Sequence, residues 1–195
     1  MIDTTSKRQQ EIIESAGKLL MEKGIKGLTT KNLALEMQFS ESALYRHFKN
    51  KEDIIVLLLE YLENNLKHRL NPIYDIESTA HEKLFKIFNS QFVFFSQNPH
   101  FVVAILSEGL FDESDKINHS ILKIINYKTA LITACIEDAK KNSLINDAIQ
   151  TQDMVHILMG SFRLMMLKWK ISKFKINLIQ QGNNVMKTNL NLIIK

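Results

Sequence analysis

The sequence predicts an all-α protein of about nine helices. Only 6 glycines and 2 prolines occur among 195 residues, so few positions interrupt a helix. Apolar residues recur at helical spacing along almost the whole chain, and strand-like alternation is hard to find. The pattern predicts an N-terminal three-helix head in residues 1–50 and a larger helical domain in residues 51–195.

The first helix of the head is predicted over about residues 6–22, and Gly24 is expected to end it, because glycine accepts the left-handed backbone that closes many helices. Its inward face is expected to be one apolar stripe, formed by Ile12, Ile13, Ala16, Leu19 and Leu20.

Two shorter helices follow, separated by a tight turn at residues 37–40. Thr29 or Thr30 is expected to cap the second helix, and Ser40 the third, which is predicted over residues 41–47. A turn of about four residues between two short helices is typical of a helix-turn-helix. Leu44 and Phe48 are expected to face inward. The polar face of the third helix would then be open to the major groove of DNA.

Six further helices are predicted beyond residue 50. Pro72 is expected to close the first of them, Asn98 and Pro99 to start the third, and Thr151 to cap the fifth. Their approximate spans are residues 51–69, 79–96, 99–110, 114–141, 151–172 and 177–195.

The net charge of +4 is too small to indicate nucleic acid by itself. Its distribution is more informative. Residues 1–51 hold nine Lys/Arg against six Asp/Glu, whereas residues 52–195 hold sixteen against fifteen. The head thus carries most of the excess positive charge, as expected of a surface that faces phosphates.

The single cysteine, Cys135, lies among apolar residues and is expected to be a buried, inert thiol. No apolar run is long enough for a membrane span, and the N-terminus has no signal-peptide pattern. We therefore expect a cytoplasmic protein without a membrane partner.

Residues 29–34 and 39–52, TTKNLA and FSESALYRHFKNKE, closely resemble the head of the TetR/AcrR family of transcriptional regulators. The resemblance covers about the first 55 residues, and beyond residue 60 only the number and length of the helices are similar. It implies a DNA-binding regulator, most often a repressor, with an effector-binding and dimerisation domain behind the head. The family usually has glycine in the turn where this chain has Gln38, so a left-handed, mildly strained residue is expected there.

The resemblance also implies roles for particular side chains. Thr30, Tyr45 and Lys51 fall where family members hold phosphates. The residues that fall where the family meets base edges are Lys31, Ser42, Ala43, Arg46 and His47, and Ser40 and Lys49 complete the expected DNA-binding set.

A palindromic operator requires two heads, so a homodimer is expected. The last two helices carry apolar stripes, and the resemblance implies that they form a four-helix bundle with their symmetry mates. Burial of the same stripes within one chain is the alternative. The expected interface residues are Val155, Leu158, Met159, Phe162, Met166, Leu178, Val185, Met186 and Leu190.

The middle helices are rich in phenylalanine, which is more often core than the wall of a ligand cavity. The resemblance nevertheless implies a mainly apolar effector cavity with a few polar groups. The expected lining residues, chosen by residue type, are Phe88, Phe92, Phe95, Tyr127, His156 and Arg163.

Two other functions differ in how well they fit the sequence. A DNA-binding protein of the same fold, controlled by a protein partner as in nucleoid-occlusion regulators, has the same motif and stays open. An enzyme is disfavoured, because the sequence has no His-Glu-x-x-His, glycine-rich phosphate loop or Gly-x-Ser-x-Gly motif. No histidine pair has metal-ligand spacing on one helix, so neither a metal nor a cofactor is expected.

Overall fold

The structure is a computed structural model, and it describes residues 7–46, 48–106, 114–142, 144–145 and 149–194. The described residues form nine α-helices, which confirms the predicted all-α class. The helices are α1 (Lys7–Gly27), α2 (Thr30–Glu36), α3 (Glu41–Tyr45), α4 (Lys51–Asp75), α5 (Ala80–Gln97), α6 (Pro99–Ile105), α7 (Asp115–Lys141), α8 (Thr151–Ile171) and α9 (Leu178–Ile193).

The first of two compact units comprises Met1–Asn64 and Asn98–Lys123. Within it α1 packs against α2 and α6, and α2 packs against α3. The predicted apolar stripe of α1 is buried, with Ile12, Ala16 and Leu19 each exposing 3% of their surface or less. α1 extends to Gly27 instead of ending at Gly24, although Gly24, with a φ of 65°, interrupts its helical backbone as a left-handed glycine does.

The second compact unit comprises Asn65–Gln97 and Ile124–Lys195. Here α9 packs against α5 and α8. The contact between α5 and α9 is close, because a Cβ atom on Gly182 would lie 2.6 Å from the ring of Phe92. The residues that fill this core come from all the helices of the unit, and Leu84, Phe88, Phe92, Met154, Leu158, Met186 and Leu190 are each fully buried.

Side chains cap the first turns of four helices, and the cap of α2 at Thr29 confirms a prediction. The Thr29 hydroxyl accepts the Asn32 amide of α2, and the Asn177 side chain accepts the Gln180 amide of α9. Ser114 accepts the amide of Ile117 at 3.2 Å. A reciprocal capping box starts α5, in which the Glu82 amide donates to Thr79 Oγ1 at 3.2 Å and the Thr79 amide donates to Glu82 Oε2 at 3.3 Å.

The predicted end of α4 at Pro72 is wrong. The helix runs through Pro72 to Asp75, so it is 25 residues long. Proline removes one amide donor and crowds the preceding turn, which usually kinks or ends a helix. Here the proline lies in the last turn, and the turns that precede it are already fixed by buried residues such as Leu66 and Leu70.

Two other predicted termini shift. α6 ends at Ile105 rather than near residue 110, and Asn98 makes no capping hydrogen bond through its side chain although Pro99 occupies the first turn. Thr151 is the first residue of α8 and Gln150 is its cap. The Thr151 hydroxyl donates to the Glu137 carboxylate of α7 instead, so a tertiary contact replaces the predicted cap.

Candidate functional site

The helix α3 is held in place by one cap and two buried side chains. The Ser40 hydroxyl accepts the Ala43 amide at 3.2 Å, as predicted, and starts the helix. Leu44 and Phe48 expose 2% and 7% of their surface and anchor α3 to the small core of the first unit. A helix of five residues has no independent stability, so these contacts determine its orientation.

The opposite face of α3 is exposed to solvent. Ser42, Tyr45 and Arg46 are exposed and Ala43 is half-buried, whereas His47 lies outside the described residues. Tyr45 exposes 50% of its surface, a large fraction for an aromatic residue that follows a buried leucine. An exposed face with a hydroxyl, a phenol and a guanidinium has the donors and acceptors that base edges and phosphates require.

The turn before α3 contains the strained residue that the sequence predicts. Gln38 has a φ of 57°, in the left-handed region. Its amide donates to the Leu35 carbonyl at 3.2 Å, and the Phe39 amide donates to the Ala34 carbonyl at 2.9 Å. These bonds close the C-terminus of α2 in the manner of a glycine-terminated helix, with glutamine in the place of glycine.

The other residues of the predicted DNA-binding set surround α3. Thr30 is buried, and its hydroxyl lies 3.2 Å from the Tyr45 hydroxyl, to which it donates. The Ser40 and Ser42 hydroxyl groups lie 3.1 Å apart. Lys31 is exposed in the first turn of α2. Thr30 thus fixes the phenol of Tyr45, and Lys31 adds a positive charge on the adjoining helix.

The start of α4 is also capped. Asn50 accepts the Asp53 amide at 3.1 Å, and Asp53 accepts the Lys49 amide at 2.8 Å. The Lys49 side chain is exposed and that of Lys51 is half-buried. The caps fix the backbone from which both lysines project, close to the C-terminal end of α3.

A groove of about 670 Å³ in the first unit contains Tyr45, Arg46 and Lys49. Arg8 of α1 lines it as well, with its guanidinium 3.7 Å from the centre of the Phe39 ring and 3.2 Å from Glu11. Sequence analysis missed Arg8. The available signal was a basic pair, residues 7 and 8, at the start of the first helix. The carboxylates of Asp53 and Glu60 also line the groove, so its three cationic side chains leave an excess of one positive charge, which favours phosphate only weakly.

The second unit contains the predicted effector phenylalanines. Phe88, Phe92 and Phe95 pack around the ring of Phe162, with ring centres 5.8, 5.3 and 6.3 Å from it. Phe162 was expected at the dimer interface, yet it exposes only 6% of its surface within one chain. The four rings form one aromatic cluster contributed by α5 and α8.

The polar residues expected beside this cluster lie elsewhere in the unit. Tyr127 is half-buried, and its hydroxyl donates to the Asn71 side chain. His156 is exposed, with Nδ1 2.7 Å from the Gln152 carbonyl oxygen, and Arg163 is exposed on the same helix. The structure therefore brings the three phenylalanines together but does not join Tyr127, His156 or Arg163 to them.

The residues expected at the dimer interface form an inner layer of α8 and α9. Met159 and Val185 are half-buried, and the others are buried within the chain: Val155, Leu158, Phe162, Met166, Leu178, Met186 and Leu190. The outer face of α8 is also apolar, since Ile157, Leu164 and Ile171 expose 48%, 58% and 72% of their surface. The sequence predicts an apolar stripe on this helix but does not distinguish its two faces.

Cys135 is buried as predicted, with 1% of its surface exposed, and burial raises the pKa of its thiol to about 11, which favours the protonated form at neutral pH. Across the described ranges, no three His, Cys, Asp or Glu side chains are grouped so as to hold a metal ion. No helix in the described part of the chain has the length and apolarity needed to cross a membrane.

The capped α3 with its exposed polar face defines the first unit as a helix-turn-helix head. Residues 12–58 match the family model described as "Bacterial regulatory proteins, tetR family". The match covers the helix-turn-helix head and the start of α4.

Curated relatives with similar sequences are nucleoid occlusion factors. The chain is 30% identical over 115 residues to nucleoid occlusion factor SlmA of Photobacterium profundum, a match that covers 58% of this chain and 59% of that protein. The SlmA of Idiomarina loihiensis is 26% identical over 177 residues, which cover 89% of this chain and 86% of that protein. The chain thus spans about three fifths of the length of the former and most of the latter.

Solved structures match nearly the full length. The fatty acid degradation regulator FadR from Bacillus halodurans has a TM-score of 0.85 at 16% identity, over 96% of this chain and 97% of that one. FadR from Bacillus subtilis, solved in complex with stearoyl-CoA, has a TM-score of 0.83 at 18% identity, over 94% and 98%. At this identity the likeness shows the fold alone.

Proposed function

We propose that this protein is a cytoplasmic, sequence-specific DNA-binding transcriptional regulator, a repressor that a small apolar effector releases from its operator. The observation that carries the proposal is the exposed face of α3, where Ser42, Tyr45 and Arg46 project from a helix anchored by Leu44 and Phe48. Residues 1–50 bind DNA, and residues 51–195 bind the effector and the second subunit.

The side chains divide the recognition of DNA between sequence and backbone. Arg46 pairs with guanine through its two-pronged donor set, a contact worth about 1–3 kcal/mol of discrimination. Tyr45, Lys49 and Lys51 hold phosphates and fix the register of the head. The remaining contacts come from Thr30, Lys31, Ser40, Ser42, Ala43 and His47, and the position of Arg8 in the groove supports a phosphate contact of its own.

The protein acts as a homodimer on an inverted repeat. The outer face of α8 supports this, because Ile157, Leu164 and Ile171 are exposed on a helix whose inner face is already buried. Such a surface is costly for a monomer in water and is suited to a second copy of α8 and α9. The interface residues predicted from the sequence then form the layer that supports the contact.

The effector acts by coupling. A ligand that binds more tightly to the conformation with the wrong spacing of the two heads weakens operator binding by its difference in affinity. The aromatic cluster of Phe88, Phe92, Phe95 and Phe162 supports an apolar ligand in the second unit. Tyr127, His156 and Arg163 remain candidate polar contacts.

A second candidate function is regulation by a protein partner without a metabolite. The similarity to nucleoid occlusion factors favours it. The head would bind DNA in both cases, so the two candidates differ only in what the second unit recognises.

The test is selection of genomic DNA fragments by the purified full-length protein. A short inverted repeat is expected to emerge, and the double variant Tyr45→Ala/Arg46→Ala is expected to lose it. Lys23→Ala is the matched control, because Lys23 is an exposed cation of α1 in the same unit. Enrichment that follows salt concentration alone, with no sequence in common, contradicts the proposal, since non-specific binding is electrostatic.

A further inference from the structure

The second unit holds one buried and one half-buried cationic side chain, and neither is among the residues predicted from the sequence. Lys128 of α7 exposes 6% of its surface. Arg69 of α4 is half-buried as a residue, but its Nη2 atom is fully buried. Charged groups at such positions are rare unless they are paired, because the transfer of a charge out of water is costly.

The contacts of Arg69 leave one donor unused. Its Nε donates to Asn65 Oδ1 at 2.7 Å, and its Nη1 donates to the carbonyl and hydroxyl oxygens of Ser90 at 3.0 and 2.8 Å. The guanidinium lies 4.4 Å from the centre of the Phe94 ring. Nη2 has no hydrogen-bond partner. The guanidinium is therefore oriented by three hydrogen bonds and a ring while its other terminal nitrogen stays unsatisfied.

Lys128 contacts the aromatic cluster described above. Its Nζ lies 3.9 Å from the centre of the Phe162 ring, at which Phe88, Phe92 and Phe95 also converge. Among the ion pairs of the described residues, none involves Lys128 or Arg69. The ring face attracts the ammonium but supplies neither a full negative charge nor a hydrogen-bond acceptor of ordinary strength.

The electrostatics of this pair are unfavourable without an anion. Burial and, to a smaller extent, the positive charge of Arg69 together lower the pKa of Lys128 to about 7. Burial also lowers the pKa of Arg69 to about 10. Two buried like charges without a carboxylate lower the stability of the fold, and apolar residues of similar volume would pack better there. Groups kept in such surroundings are candidates for a binding role.

We propose that Arg69 and Lys128 bind the acid group of an amphiphilic organic anion, a carboxylate or phosphate monoester on an apolar body. The free Nη2 of Arg69 and the ammonium of Lys128 supply the donors, and charge-assisted hydrogen bonds to an anion satisfy both. The aromatic cluster contacts the apolar body. The inference deepens the proposed function by naming the chemical class of the effector. Its regulatory consequence rests on that proposed function.

The test uses the full-length protein and three probes with the same ten-carbon chain: decanoate, decyl phosphate and decanol, each below its micellar concentration. Thermal unfolding is expected to show a saturable stabilisation with at least one of the two anions and at least tenfold weaker binding of decanol. Whichever anion binds more tightly identifies the acid group. Equal stabilisation by decanol and both anions overturns the proposal, as does the absence of stabilisation by either anion.

The informative variant is Lys128→Met, which keeps an unbranched chain and removes the charge. It is expected to lose the preference for the anion over decanol, and its unliganded melting temperature is expected to rise because an unpaired buried charge is gone. A lysine with a merely structural role predicts a fall in melting temperature and an unchanged preference. Lys187→Met is the matched control, since Lys187 is an exposed cation 5.4 Å from the Phe85 ring of the same unit.

A measurement on the unaltered protein covers the case in which the variant does not fold. Calorimetric titration with decanoate at pH 8, in two buffers of different ionisation enthalpy, counts the protons taken up on binding. Lys128 is mostly neutral at this pH and is expected to bind up to one proton when the carboxylate arrives. Binding without proton uptake contradicts the site. None of these measurements includes DNA, so loss of the anion site and loss of operator selection are separate results.

Discussion

The head and the second unit hold their candidate functional groups in opposite ways. In the head, Tyr45 and Arg46 are exposed, and local caps and two buried side chains fix the short helix that carries them. In the second unit, Lys128 and the Nη2 atom of Arg69 are buried, and separate helices contribute them. An exposed face can meet a large, invariant polyanion, whereas a buried pair can meet only a small molecule that enters the core. The location of charge thus distinguishes the two kinds of partner.

The largest effect is expected from Leu44→Ala, because an exposed functional face depends on a very small core. Leu44 is 2% exposed, and its truncation leaves a cavity that costs about 2–5 kcal/mol of unfolding free energy. Operator binding should fall with it. Leu35→Ala is the matched control at a leucine that is 68% exposed. Chemical denaturation measures the stability of the two variants, and DNA titration measures their operator binding. Equal stability losses in the two variants would mean that α3 is not anchored by Leu44.

The second prediction concerns the buried charge and pH. Lys128 has a pKa of about 7 in the folded chain, below the ordinary 10.5. Between these values the unfolded chain binds a proton that the folded chain does not, so the free energy of unfolding rises with pH. From pH 7 to pH 9 one such group contributes at most about 3 kcal/mol.

Denaturation of the unaltered protein and of Lys128→Met across this range isolates the contribution. The rise with pH should be present in the unaltered protein and absent from the variant, so it should appear in the difference between the two profiles. The pKa of Cys135 is raised in the folded chain, so above pH 9 the thiol loses its proton more readily in the unfolded chain. This lowers the free energy of unfolding, and the measurement therefore stops at pH 9. Parallel pH profiles for the two proteins would show that Lys128 is solvated, and the contrast with the head would disappear.

The third prediction uses two glycines. Gly182→Ala places a methyl group 2.6 Å from the buried Phe92 ring and is expected to cost about 1–3 kcal/mol. Gly160→Ala meets no atom within 4 Å and is expected to add up to about 1 kcal/mol of stability through its helix propensity. Unfolding at low protein concentration measures the sign of the stability change in each variant. If Gly160→Ala also weakens self-association in sedimentation, two copies of α8 approach closely at that glycine.

The contrast between the two units also explains what the sequence could predict. The head was predictable because its signals are local: the cap at Ser40, the spacing of Leu44 and Phe48, and the turn residue Gln38 all act within a few residues. The continuation of α4 past Pro72 was not predictable, because packing of the preceding turns overrides the tendency of proline to end a helix.

The buried pair of the second unit could not have been found from spacing. Arg69 meets Ser90 across α4 and α5, Lys128 meets Phe162 across α7 and α8, and no sequence period links either pair. The sequence pattern predicts a solvent-exposed charge for a lysine on a helix unless the burial of its neighbours is known. The two faces of α8 show the same limit, because Ile157 and Leu158 are equally apolar in sequence but 48% and 0% exposed.

The smallest expected effect tests whether Gln38 contributes to operator binding or only lowers the stability of the turn. Gln38→Gly removes the strain of a side chain at a φ of 57° and is expected to add about 1 kcal/mol of stability. Gly24→Ala is the reciprocal control, because a φ of 65° without any nearby atom makes its cost conformational and opposite in sign. If Gln38→Gly stabilises the head and leaves operator affinity unchanged, the turn sets only the stability of the helix pair. If stability rises while affinity falls, Gln38 instead sets the orientation of α3 toward the groove, and the head then depends on strain as well as on its exposed face.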